Sequence, residues 1–336
     1  MRMTFTPHPA ALALIAATLA AGCGADEGAA DELPPVVATT SIWSDVTSAA
    51  LCDLDVPSVI PVGADAHTFE PSLRDREVLE HADLVVSNGA GLEERLVDLL
   101  STVAADGTNL VEITPWVDTL EPGPDHDHDD HEADDHDHDD HDDHDDHDDH
   151  DDHDGADGGD DPHGHDADVD PHVWQDPRRV AAALDVIGSA AAALELDDCV
   201  EAYRGELSEL DDEIVALLHD IPDADRVLVT SHDSLRYFAD RYDFEIVGTV
   251  IPASNTLAET NAADLADLAD RIAERNVRAI FTDAFASTSD ADALAERLGV
   301  RVVPLVTDAL TDDPATDTYV EMMRSNAEAI AAALAP

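Results

Sequence analysis

The feature that most constrains the fold of this 336-residue chain is an alternation of short apolar runs with amphipathic helical stretches, which occurs in two sets. The runs are rich in Val, Ile and Thr and have the length of buried strands. Alternating strands and helices are typical of βαβ units and predict a parallel or mostly parallel sheet in each set. The first set of runs is 36–42, 57–62, 84–88 and 109–113, and the second is 226–230, 244–250, 277–282 and 300–306.

The segment between the two sets has a helical pattern. Residues 178–219 are rich in Ala and Leu, with acidic and Arg spacers, and contain no Pro. This predicts one very long helix, or two consecutive helices with a break near Asp197–Asp198. The predicted fold class is therefore α/β, with two βα lobes, each with a mostly parallel sheet, joined by a long helix. We assign 36–177 to the N-terminal lobe, 178–220 to the linking helical segment and 221–336 to the C-terminal lobe.

A His- and Asp-rich segment, 125–168, interrupts the N-terminal lobe. It holds twelve of the eighteen histidines and almost no apolar residues. Because nothing in it can offset the entropy cost of ordering, we expect a disordered insertion that binds metal weakly. The alternative is a solvated low-complexity expansion without a functional role. Its histidines are His126, His128, His131, His136, His138, His141, His144, His147, His150, His153, His163 and His165.

The first 23 residues have the pattern of an export signal. Their apolar run, Ala10–Ala21, is too short to span a bilayer and is followed by small residues. The segment ends in LAAGC, which resembles a bacterial lipobox, in which the cysteine, here Cys23, is acylated. The match departs from the usual pattern at Ala20, where Leu is customary, and simple secretion with a free thiol is the alternative. Residues 24–35 have the composition of a flexible tether.

The charge balance limits the partners that such a chain can bind. The formal net charge is −62, and all sixteen basic residues are Arg. Such a surface repels nucleic acid and anionic lipid, so nucleic acid is excluded as a partner, whereas cations are concentrated near it. A lipid at Cys23 would then be what anchors the chain outside the cell membrane.

Two further cysteines, Cys52 and Cys199, lie 147 residues apart. An exported protein folds in an oxidising compartment, so a disulfide between them is expected. Two buried thiols are the alternative.

Five histidines lie outside the insertion and the N-terminal segment, and three of them share a setting. His67, His172 and His232 lie in turn-rich loops that enter the cleft expected between two lobes, where ligands of α/β sheets bind. His81 and His219 have the positions of surface or helix-end residues. Asp308 again directly follows a predicted strand. Three imidazoles and one carboxylate suit tetrahedral coordination of zinc.

The segments that carry these residues resemble one protein family. PVGADAHTFEPSLRD, DPHVWQDP, TSHDSLRYFADRY and VVPLVTDAL are similar to the ligand-bearing segments of zinc- and manganese-specific solute-binding lipoproteins of bacterial ABC importers, the ZnuA- or TroA-like family. The resemblance covers residues 36–336 in the family's order. It implies two α/β lobes linked by a rigid long helix, with metal bound in the cleft by His67, His172, His232 and Asp308.

The resemblance also implies the cargo and the partners. Manganese-selective members tend to have Glu where this chain has His232, so Zn²⁺ is the expected transported ligand, with Mn²⁺ as the alternative because Asp308 still supplies oxygen. The partners implied are a cognate ABC permease and its ATPase in the cytoplasmic membrane, and we expect a monomer that is not an enzyme. Glu70, Asp233 and Asp283 are candidates to accept hydrogen bonds from the ligand histidines.

Two functions from other classes compete with transport. A tethered zinc-dependent hydrolase would keep an open water position on the metal, whereas four protein groups are available here and the H-E-x-x-H motif does not occur. A metal-storage or adhesion lipoprotein would depend on the insertion more than on the lobes.

Overall fold

The computed structural model describes residues 34–121, 169–251, 256, 260–285 and 287–335. The predicted signal peptide with Cys23, most of the predicted tether, and the insertion 125–168 with its twelve histidines lie outside these residues. Within the described part of the chain, no helix has both the length and the apolarity that crossing a membrane requires.

The first lobe is built on three parallel strands in the order β1–β2–β3. They are β1 (Val36–Ala38), β2 (Leu84–Ser87) and β3 (Asn109–Glu112), and the helices between them are α1 (Ser41–Ala50), α2 (Leu73–His81) and α3 (Val97–Asp106). The predicted run 36–42 is cut short because the Thr40 side chain accepts a hydrogen bond from the Trp43 N–H and caps α1.

The predicted strand at 57–62 is reduced to a single parallel bridge between Ser58 and Ala38. Pro57 and Pro61 flank this bridge and have no N–H to donate to a ladder, which limits the pairing to a few residues. The chain then turns away from the sheet, and this turn carries the loop that contains His67.

Two helices follow the first sheet. The first, α4 (Pro177–Ala193), packs against β2 and β3, and the second, α5 (Val200–Leu218), runs from the first lobe to the start of the second sheet. The segment 178–219 is therefore two consecutive helices, the second alternative above, with α5 as the long connecting helix. Its N-cap residue Cys199 forms a disulfide with Cys52, with an S–S distance of 2.07 Å, so the predicted disulfide is present.

The second lobe contains four parallel strands in the order β5–β4–β6–β7. The strands are β4 (Val227–Thr230), β5 (Glu245–Thr249), β6 (Ala279–Asp283) and β7 (Arg301–Leu305), and the helices are α6 (Arg236–Tyr242), α7 (Ala262–Arg275), α8 (Ser289–Leu298) and α9 (Tyr319–Leu334). Two βα lobes with parallel sheets confirm the predicted fold class.

The apolar core is continuous across the two lobes. Its larger cluster includes buried residues of the first sheet, α1, α4 and α5, and extends through α9 to the inner face of the second sheet. A smaller cluster fills the space between the second sheet and the helices α7 and α8. Because α5 and α9 pack against each other and belong to the shared core, they join the two sheets.

Candidate metal centre

The loop that carries His67 is shaped by Asp65. One carboxylate oxygen of Asp65, Oδ1, accepts the backbone N–H of His67 at 2.9 Å, and the other, Oδ2, accepts the hydroxyl of Thr256 from the second lobe at 2.6 Å. The histidine itself is 3% exposed. The short Asp side chain thus fixes a tight turn and directs the imidazole of His67 into the cleft.

His172 is held in the same way but more completely. The Oδ1 atom of Asp170 accepts both the backbone N–H of His172, at 3.0 Å, and its ring Nδ1–H, at 2.7 Å. A proton fixed on Nδ1 by a carboxylate leaves Nε2 with a free lone pair and makes that nitrogen a better ligand. Both residues are fully buried.

His232 and Asp308 both follow strand ends at the same edge of the second sheet. His232 follows β4, Asp308 follows β7, and β6 lies between these two strands. The Nε2 atom of His232 lies 3.2 Å from Oδ2 of Asp308, an ion-pair distance. The Nε2 atom of His172 lies 4.0 Å from the other oxygen, Oδ1. Asp308 therefore faces rings from both lobes.

The peptide before Asp308 is fixed by donors from the first lobe. The carbonyl of Thr307 accepts the indole N–H of Trp174 at 2.7 Å and the side-chain amide of Gln175 at 2.9 Å. On its other side, the hydroxyl of Thr307 donates to Asp283 at 2.6 Å. These contacts place the Asp308 carboxylate before any ion is bound.

The three imidazoles converge on one point. One ring nitrogen from each of His67, His172 and His232 lies within 4.8 Å of the others, and the ring centroids are 5.3–6.0 Å apart. In a tetrahedral zinc site the nitrogens would be about 3.4 Å apart, so a small inward shift of the rings completes the coordination sphere.

Five buried side-chain atoms of these four residues form no hydrogen bond to the described part of the chain. They are Nε2 of His67, Nε2 of His172, both ring nitrogens of His232 and Oδ1 of Asp308, although Nε2 of His232 lies at an ion-pair distance from Asp308. Buried polar atoms are rarely left unsatisfied, because each one costs free energy. Convergent unsatisfied nitrogens and oxygen are what a cation site requires, and the donor set suits zinc.

The pKa values of His67 and His232 are shifted in opposite directions by their surroundings. Burial lowers the pKa of His67 to about 4, and the neighbouring His172 ring acts in the same direction. Burial also acts to lower the pKa of His232, but the Asp308 carboxylate outweighs it and raises that pKa to about 9. Burial acts to raise the pKa of Asp308, yet the charge of His232 holds it well below its usual range. At neutral pH the His67 ring is therefore neutral, whereas His232 forms an ion pair with Asp308.

The three residues predicted to support the ligands occupy different places. Asp283 lies at the end of β6 and accepts both the N–H and the hydroxyl of Thr307, so it positions the loop of Asp308. Asp233 is buried next to His232 and lies 3.4 Å from Nη1 of Arg236. Glu70 is turned outward, with its side chain 74% exposed, and pairs with Arg95 at 2.6 Å.

Two supporting residues were missed by the sequence reasoning, namely Asp65 and Asp170. Each stands two positions before a cleft histidine and accepts the N–H of that histidine. The repeated pattern Asp-x-His, in Asp65-Ala66-His67 and Asp170-Pro171-His172, is the signal that would have found them. The two remaining described histidines, His81 and His219, lie at the C-terminal ends of α2 and α5, outside the cluster.

Comparison with known proteins identifies the family to which the chain is similar. Residues 36–333 match the profile of the family described as "Zinc-uptake complex component A periplasmic". The manganese-binding lipoprotein MntA of Halalkalibacterium halodurans is 25% identical over 333 residues, with 96% of each chain covered. The zinc-binding protein TroA of Treponema pallidum is 28% identical over 330 residues, covering 93% of this chain and 92% of its own.

Solved structures support the same fold. The periplasmic zinc-binding protein TroA of Treponema pallidum superimposes with a TM-score of 0.69 at 24% identity, covering 90% of this chain and 99% of its own. The family profile spans almost the whole described chain, and the solved structure shares its fold. The chain therefore belongs to the ZnuA family of metal-binding, substrate-binding proteins of ABC transporters.

Proposed function

We propose that this protein is the extracytoplasmic zinc-binding component of an ABC importer. It captures Zn²⁺ with high affinity and delivers it to a cognate permease and ATPase in the cytoplasmic membrane. An acylated Cys23 anchors it outside the cell membrane, and it acts as a monomer. It catalyses no reaction; its function is to bind and release an ion.

The observation that carries this proposal is the convergence of three buried imidazole nitrogens within 4.8 Å, beside a carboxylate. We assign His67, His172, His232 and Asp308 as the ligands. Two come from each lobe, so the bound ion stabilises the arrangement in which the lobes are closed on it. Docking on the permease would release the ion by drawing the two pairs of ligands apart.

Zinc is favoured over manganese by the chemistry of the donors. Imidazole nitrogen suits zinc, whereas manganese prefers carboxylate, carbonyl and water oxygen. Three of the four proposed ligands are imidazoles, including His232. Manganese remains the second candidate because Asp308 supplies oxygen and because relatives of similar identity are named for either metal.

The test is a pair of zinc and manganese titrations in competition with a chelator, which isolates the tightest site from weaker ones. We expect wild type to bind one Zn²⁺ far more tightly than Mn²⁺, and His172→Ala to lose this site. His232→Glu should shift the preference toward Mn²⁺. His219→Ala, at the end of α5, is the matched control and should leave both affinities unchanged. Equal or greater affinity for Mn²⁺ in wild type would reject the zinc assignment.

We also propose that the insertion 125–168 captures zinc weakly near the cleft. The composition of this segment predicts no preformed geometry, so each of its sites should bind more weakly than the cleft. Deleting residues 126–165 should lower the number of bound ions and slow uptake at limiting zinc. An unchanged stoichiometry of one and an unchanged uptake rate would contradict the capture role.

A further inference from the structure

Leu120 and Asp170, one on each side of the insertion, are hydrogen-bonded to each other. The backbone N–H of Asp170 donates to the carbonyl of Leu120 at 2.9 Å. We call these two residues the stem of the insertion. The stem therefore closes a loop of 49 residues through its own backbone contact.

A tyrosine from the second lobe completes the stem. The hydroxyl of Tyr237, in α6, accepts the backbone N–H of Leu120 at 3.0 Å and donates to the carbonyl of Asp170 at 2.6 Å. Tyr237 is fully buried, and burial raises the pKa of its hydroxyl well above the usual range, so the proton that it donates is retained at any physiological pH.

Arg179 of α4 reinforces the same junction. Its Nε donates to the carbonyl of Asp118 at 2.7 Å, and its guanidinium lies 4.7 Å from the centre of the Tyr237 ring, a cation–π distance. Further hydrogen bonds join the guanidinium to Asp176 at 2.6 Å and to Asp240, in α6, at 3.1 Å. The first lobe, the stem and the second lobe thus meet at one buried aromatic ring.

The stem is also part of the metal centre. Asp170, whose backbone is held by Tyr237, uses its side chain to fix Nδ1 of His172. We propose that Tyr237 is a positioning residue for the metal site, which holds the stem of the insertion closed and thereby holds His172 in its ligating orientation. This inference rests on the proposed ligand role of His172.

The length of the insertion determines how much the contacts of Tyr237 contribute to closing the stem. The probability that the two ends of a flexible chain meet falls approximately as the −3/2 power of its length. The composition of the insertion predicts a flexible connection, and a flexible connection of 49 residues would close roughly 20-fold less readily than one of six residues. The contacts of Tyr237 offset this cost, so they should matter most when the insertion is present.

The experiment compares Tyr237→Phe with Tyr242→Phe in the full chain. Tyr242 is the matched control because it lies in the same helix and its buried hydroxyl bonds Asp211, away from the stem. The slow phase of zinc dissociation into excess chelator reports the cleft site. We expect Tyr237→Phe to accelerate it about tenfold, since both hydrogen bonds of this hydroxyl at the stem are lost, and Tyr242→Phe to accelerate it less than twofold.

A second arm separates positioning from general packing. The same two substitutions are made in a chain whose residues 122–168 are replaced by a four-residue Gly/Ser linker. There the stem is closed by its short connection, so Tyr237→Phe should accelerate dissociation less than twofold. An equal effect of Tyr237→Phe in the long and short chains would overturn the proposal, because a packing defect in α6 does not depend on loop length.

Hydrogen exchange in wild type provides a test that needs no variant. Because coupling between two sites is reciprocal, one equivalent of Zn²⁺ should slow exchange of the Leu120 amide about tenfold. An exchange rate of the Leu120 amide that is the same with and without Zn²⁺ would refute the coupling. Failure of the proposed function has a different signature, in which wild type lacks a tight zinc site or His172→Ala retains it.

Discussion

Lowering the pH should weaken zinc binding, because one proposed ligand carries a proton in the metal-free protein. Asp308 raises the pKa of His232 to about 9, so at pH 7 this ring is an imidazolium paired with the carboxylate. A metal ligand must be deprotonated, so Zn²⁺ has to displace that proton. The apparent affinity for Zn²⁺ is therefore highest above pH 9 and decreases as the pH falls below 9.

The magnitude comes from the same pKa. At pH 7, two units below 9, the proton on His232 lowers the apparent affinity about 100-fold, or roughly 2.7 kcal/mol. Between pH 8 and pH 5 the affinity should fall about tenfold for each unit of pH from this group alone. His67, with a pKa of about 4, adds a second proton only near the acid end of this range.

Isothermal titration calorimetry in buffers of different ionisation enthalpy counts the protons released. We expect about one proton per Zn²⁺ at pH 7 from His232. In Asp308→Asn, burial without the carboxylate lowers the pKa of His232, so release should fall toward zero while the affinity drops. Absence of proton release from wild type at pH 7, or an affinity that does not change between pH 8 and pH 6, would refute this reasoning.

Three further predictions concern the scaffold. Replacing Cys52 and Cys199 by Ser should lower the free energy of unfolding by up to about 5 kcal/mol, because the disulfide closes a loop of 147 residues. Denaturant titration measures this loss, and an unchanged free energy of unfolding would contradict the prediction. Burial raises the pKa of Asp45 to about 6, so the folded state loses stability as the pH rises from about 4 to 6. Asp45→Asn should therefore raise the free energy of unfolding by up to about 3 kcal/mol at pH 7.5 and by little at pH 4, as measured by thermal melts at the two pH values. Asp170→Asn should weaken zinc binding about 10- to 100-fold in a competition assay, because the Nδ1 proton of His172 loses its carboxylate; an unchanged affinity would argue against this role.

The sequence predicts best those site residues that come directly after a strand. His232 and Asp308 directly follow apolar runs, and parallel strands present their carboxyl ends at one edge of a sheet, so their proximity is a consequence of topology. His67 and His172 follow turns of the first lobe. Their meeting with the second lobe was predicted from loops that enter the expected cleft, and the family resemblance implied the same set; the local sequence does not encode the contacts that bring these loops together.

What the sequence did not reveal depends on tertiary contacts. Glu70 is three residues from His67, yet it pairs with Arg95, a partner whose position is fixed by folding. The donors from Trp174 and Gln175 to the Thr307 carbonyl join segments more than 130 residues apart. Prolines explain why the strand predicted at 57–62 shrinks to one bridge, because each removes a ladder donor.

Anomalous diffraction at the zinc absorption edge, from crystals of protein loaded with one equivalent of Zn²⁺, tests the central claim most directly. We predict one strong peak in the cleft, about 2.0–2.2 Å from a ring nitrogen of His67, His172 and His232 and from an oxygen of Asp308. A principal peak elsewhere, or an ion in the cleft that is held by fewer than three of these side chains and otherwise by water, would contradict it.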